Sequence, residues 1–111
     1  MKKKKIHESN LFPFSWEIFL TNYRRIKNEY ECCIENLLKT NRELAEASKA
    51  NDLVTIESIE KRRVKLCRIR DRMQTAIACG NQMYIVGLHH DLYKYFFKYI
   101  VEIYEIEGDV R

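Results

Sequence analysis

SWEIFLTNYRRIKNEYECCIENLLKTNRELAEASK, residues 15–49, decides the fold. Within it, apolar or small residues recur at Trp16, Phe19, Tyr23, Ile26, Tyr30, Cys33, Leu37, Thr40, Leu44 and Ala47. The intervals alternate between three and four residues throughout, which keeps all ten on one side of a helix and is the pattern of knobs-into-holes packing. Ser15 is a good N-cap for that helix. Its length, at a rise of about 1.5 Å per residue, makes a rod of about 52 Å. Such a rod cannot bury its own seam and needs a second helix of similar length.

The partner follows directly in the chain. Asn51 and Asp52 favour turns and N-caps over helix interiors, so a short connection should return the chain antiparallel. The second helix is expected over 53–79, with Leu53, Ile56, Ile59, Leu66, Ile69, Met73, Ala76 and Ile77 as its apolar positions. In that register Arg63 and Arg70 should face Glu31 and Glu35, their stems covering apolar surface. Gly80-Asn81 reads as the next break, glycine at C′ and asparagine at an N-cap. The alternative is a continuous helix that tolerates Gly80.

A third helix is expected over 82–107, with a seam of Ile85, His89, Leu92, Phe96, Tyr99, Ile103 and Ile106. Tyr93, Tyr95, Phe97, Ile100 and Tyr104 add more apolar surface than one face needs, so this helix is either central or part of an interface. The expected fold is therefore all-α: a long antiparallel helical hairpin with a third helix, a three-helix bundle with coiled-coil-like packing. Residues 15–107 form one domain, between a basic tail with an apolar latch (1–14) and a C-terminal tail (108–111). The latch is Leu11, Phe12 and Phe14 around Pro13, read as a lid over one end of the bundle or as an exposed anchor for a partner.

Composition agrees. The chain has 111 residues, one proline and three glycines, too few turn formers for many short strands. The net charge of +4 is carried by Lys2 to Lys5, because the remainder has 16 basic and 16 acidic residues. Charge asymmetry is thus local. No run approaches the ~18 apolar residues of a membrane span, and no apolar run of secretory length follows the basic N-terminus. With four cysteines in no disulfide-like arrangement, a cytoplasmic protein with reduced thiols is expected.

Chemistry-bearing patterns are sparse. No CxxC pair occurs, and Cys33 falls in the first seam, where core packing is the expectation. His89 and His90 are adjacent and diverge by about 100° on a helix, which suits core pairing better than metal ligation. There is no Glu-x-x-His, phosphate loop, nucleophile elbow or His-Glu-x-x-His. No catalytic residue, metal, cofactor or small-molecule substrate is expected, and the chain reads as a non-enzyme.

The sharpest charge feature lies between residues 61 and 72, seven basic residues against Asp71 alone. Lys61, Arg62, Lys65, Arg68 and Arg72 are candidate anion-binding residues. The favoured reading is a solvated face partly neutralised by glutamates of the first helix; nucleic-acid binding is the weaker one. Glu102, Glu105, Glu107 and Asp109 gather the opposite charge, and pair with the stripe either within the bundle or in a neighbouring chain.

Residues 37–73, LLKTNRELAEASKANDLVTIESIEKRRVKLCRIRDRM, resemble the central hairpin of flagellar (type III) export chaperones of the FliT type. Both pair a leucine-containing helix ending in small residues with an acidic turn, and a Glu-x-Arg-x-x-x-Leu-like pattern follows, here Glu60, Arg62 and Leu66. The resemblance implies a small cytosolic chaperone that shields an aggregation-prone helix of an export substrate in an apolar groove. The surplus apolar surface of the third helix nominates Tyr93, Phe97, Ile100 and Tyr104 as partner contacts. Two other readings remain open: a homodimeric coiled-coil structural or regulatory protein, and a nucleic-acid-binding regulator using the basic stripe.

Overall fold

The computed structural model describes residues 14–108. Three helices follow one another: α1 (Trp16–Lys49), α2 (Leu53–Val86) and α3 (His90–Gly108). The fold is all-α, a three-helix bundle with no strand among the described residues. The first thirteen residues, which hold the basic run and most of the expected latch, lie outside the described residues, as do 109–111.

Local chemistry sets each boundary of the hairpin. The Ser15 hydroxyl accepts from the Ile18 N–H at 3.3 Å and opens α1. At the far end Asn51 takes a positive φ of 56°, which asparagine tolerates better than most residues. Asp52 then caps α2, accepting from the Thr55 N–H (3.2 Å) and hydroxyl (2.6 Å). A three-residue connection between helices of 34 residues each leaves only an antiparallel return.

All ten seam residues of α1 are buried or half-buried. The register along α2 is fixed by cross-contacts. Gln74 donates to the Tyr30 hydroxyl at 2.9 Å, the Cys33 thiol lies 3.5 Å from the Leu66 carbonyl oxygen, and Tyr23 hydrogen-bonds Asn81. Leu53, expected in the seam, is instead 70% exposed at the hairpin tip.

Gly80 does not end α2. It is buried in the helix interior, where a β-carbon would press on the Tyr23 ring and touch Phe96. A glycine there serves close packing, not turning. The break comes at Gly87, with φ of 91°, whose N–H donates to the Met83 carbonyl at 2.8 Å. The expected third seam therefore splits. Ile85 belongs to the last turn of α2 and is 83% exposed, His89 lies exposed in the connection, and the seam holds only from Leu92 onward.

From that turn α3 runs back along α2 and over the first half of α1. The Cys79 thiol donates to the Leu92 carbonyl (3.2 Å), Arg72 pairs with Glu102 (2.8 Å), and the Phe19 and Phe96 rings meet edge-on at 5.1 Å. The core lies where three helices meet: Phe19, Ile26, Met83, Phe96, Phe97, Ile100 and Ile103 are almost fully buried. Each such side chain contributes about 1.5–3 kcal/mol by burial.

Candidate functional site

The 19 residues of α3 are too few to cover a hairpin whose helices have 34 each. Its C-terminal turn ends over Cys33 and Met73, where Glu107 lines a depression of about 240 Å3 with Asn36, Leu66 and Ile69. Beyond this point the hairpin continues as a two-helix arm. A second depression of about 250 Å3 follows, lined by Asn36, Lys39, Thr40, Glu43, Arg62 and Leu66. A third, about 430 Å3, reaches the tip along Ala47, Thr55, Ser58 and Ile59, adds the acids Glu46 and Asp52, and again includes Glu43 and Arg62. Shared lining residues make the three one groove, in line with α3.

The groove floor is the continuation of the seam. Thr40, Ala47 and Ile59 are buried there, and Leu66 half-buried. The Thr40 hydroxyl donates to the Asn36 carbonyl at 2.7 Å, so this side chain packs as an apolar one. A single ion pair, Arg62 to Glu43, bridges the two helices across the groove. Its side chains are 52% and 38% exposed, so it contributes at most about 1 kcal/mol and opens readily.

The basic stripe runs along the rim. Lys61, Lys65, Arg68 and Arg72 are spaced four, three and four, which places them on one edge of α2. Arg72 is met by Glu102 of α3, and Arg62 turns to Glu43. Lys61, Lys65 and Arg68 make no ion pair with any described residue. Val64, 61% exposed, sits between Lys61 and Arg68 on the same side. Arg70 pairs at 3.1 Å with Asp71 on its own helix, whose carboxylate holds the guanidinium above its ordinary value. The expected pairing of Arg63 and Arg70 with Glu31 and Glu35 does not form.

The partner contacts nominated on the third helix are corrected. Tyr93, Phe97 and Ile100 are 4%, 1% and 0% exposed, inside this chain's own core. The reason is geometric: α3 lies in the groove between two helices, so two adjacent faces of it must be apolar. Tyr93 packs against Phe14 at 5.0 Å and its hydroxyl accepts from the Ser15 N–H at 3.3 Å. Tyr104 is the exception, 39% exposed beneath the Arg25 guanidinium.

The titratable groups carry little chemistry. Burial pushes the Cys33 and Cys79 thiols up, which keeps them protonated and weakly nucleophilic. Burial, aided by Glu29, also raises Glu107 at the head of the groove, while Arg25 opposes the shift. Among the described residues no group of three His, Cys, Asp or Glu is placed to hold a metal, and no described helix is long and apolar enough to cross a membrane.

The groove escaped the sequence reading because it depends on the length of α3, and that depends on which glycine stops α2. Comparison with known proteins adds no constraint: no family model, no curated protein and no solved structure matches the chain.

Proposed function

We propose that this chain is a non-enzymatic helical adaptor or chaperone that holds a helix of a partner protein. The observation that supports it is the arm groove, which runs in line with α3 along the part of the hairpin that α3 leaves uncovered. Helix-in-groove binding uses such surfaces, with apolar anchors every three or four residues. The resemblance to flagellar export chaperones falls on the same residues, 37–73, and an export substrate is a partner of the class it implies. The contact surface is the arm, centred on Thr40, Ile59 and Leu66, in place of the face of α3.

The test uses a synthetic amphipathic helix of about four turns, with leucines at three- and four-residue spacing and neutral glutamine flanks. Amide shifts confined to residues 36–66 support the reading. No binding, or shifts centred elsewhere, overturns it.

Self-association as a homodimer is the second reading. Tyr84, Ile85 and Val86, at the end of α2, are 55%, 83% and 65% exposed. Light scattering that returns a monomer at all concentrations removes this reading.

A further inference from the structure

We infer that the arm groove selects an amphipathic helix with an acidic edge, laid in line with α3; this rests on the adaptor reading above. The chain already contains one example of the contact. Where α3 lies beside α2, Arg72 of the stripe meets Glu102 at 2.8 Å. About one, two and three turns further along the same edge stand Arg68, Lys65 and Lys61, flanking the part of the groove beyond the end of α3, and none of the three is in an ion pair with a described residue. The α2 edge of the lower groove thus repeats the basic chemistry of the upper one without an ion-paired acid, while Glu43, Glu46 and Asp52 stand on the α1 side and at the tip.

Flanking charges of this kind choose partners and set register in paired helices. A helix that continues the track of α3 buries its apolar stripe on Thr40, Ala47, Ile59 and Leu66. It brings acids at three- and four-residue spacing against Lys61, Lys65 and Arg68. A helix with a basic edge sets like charges against the rim and is rejected. The Arg62–Glu43 bridge acts as an internal competitor: an incoming carboxylate replaces Glu43 on Arg62. Glu43, with Glu46 and Asp52 toward the tip, repels acids on the α1 side, so the acidic edge must face α2 and neutralising Glu43 should tighten binding.

The experiment measures affinities of the full chain for three versions of one leucine-striped peptide, flanked by glutamate, glutamine or lysine. The expected order is glutamate, then glutamine, then lysine, with about tenfold or more between the extremes at low salt, narrowing as salt rises. The rim variant K61E/K65E/R68E should reverse that order, and Glu43→Gln should tighten the glutamate peptide severalfold. Helicity by circular dichroism confirms that both variants fold. Equal affinity for all three peptides overturns the inference while leaving the adaptor reading standing. If none binds, both fail together. Duplex DNA or RNA that binds through the same three residues, when the glutamate peptide does not, reassigns the stripe to nucleic acid and overturns the inference. A dimer that dissociates on rim reversal overturns it too, because a second copy is then the occupant.

Discussion

A β-carbon on Gly80 would stand 2.6 Å from Cδ1 and 2.8 Å from Cε1 of Tyr23. The glycine lets an aromatic ring lie directly on the α2 backbone at the centre of the three-helix region.

Gly80→Ala therefore tests packing against propensity. Alanine in a helix interior gains about 1 kcal/mol over glycine, while overpacking a core costs about 1–3 kcal/mol. A net loss is expected, read as a lower urea midpoint with unchanged slope. Tyr23→Ala in the same background should relieve part of it, giving a non-additive double-mutant cycle. A Gly80→Ala protein more stable than the parent would mean that the contact is slack.

Phe97→Ser and Tyr104→Ser should part company. Phe97 is 1% exposed, and truncating such a ring costs about 3–5 kcal/mol. Tyr104 is partly exposed and holds Arg25 over its ring at 5.3 Å, an exposed contact worth about 0.5–1 kcal/mol. Thermal unfolding of the two single variants is the measurement, and similar midpoints would contradict the assignment of Phe97 to the core.

Glu107→Gln should raise the melting temperature at pH 7 and leave it unchanged below pH 4. Burial raises the folded carboxyl above its ordinary value of 4.5. The folded chain then holds the proton over a pH interval in which the unfolded chain has released it. Stability falls as pH rises through that interval, and no penalty exists below it. A melting temperature unaffected by the substitution at neutral pH would mean that the Glu107 carboxylate carries no such penalty.

Asp52 has the opposite sign. The Thr55 hydroxyl, and then the Thr55 N–H, hold its carboxyl below the usual 3.8. The stability this gives is present above the ordinary value and is lost as pH falls through the lowered one. Asp52→Ala should lower the melting temperature at pH 7 and have less effect near the acid end of the profile, followed by circular dichroism.

The hairpin was legible because its signals were redundant. The three–four alternation from Trp16 to Ala47, the cap at Ser15 and the Asn51-Asp52 pair all specified the same rod and return. The break was expected at Gly80-Asn81, and Gly87 fell inside the expected third helix, because both glycines stand in a plausible helical pattern. One glycine accommodates a ring and the other takes a positive φ, and only the position of Tyr23 across the bundle distinguishes them. The same ambiguity hid the site. The basic stripe from Lys61 to Arg72 was visible as charge, but its role as the rim of a groove needed the true span of α3. Tyr93, Phe97 and Ile100 read as surplus because a helix seated between two others has two buried faces, and periodicity alone does not say how many neighbours a helix has.

The short reach of α3 also divides the molecule by how its backbone amides exchange with solvent. Around Phe19, Ala76 and Phe96, opening an amide requires parting three helices, so protection there should approach that of global unfolding. Between Thr40 and Ile59 only two helices must part, and deuterium should enter far sooner. The segment that exchanges first is then the one with most order to gain, and a helix seated on it would announce itself as slowed exchange from the tip inward.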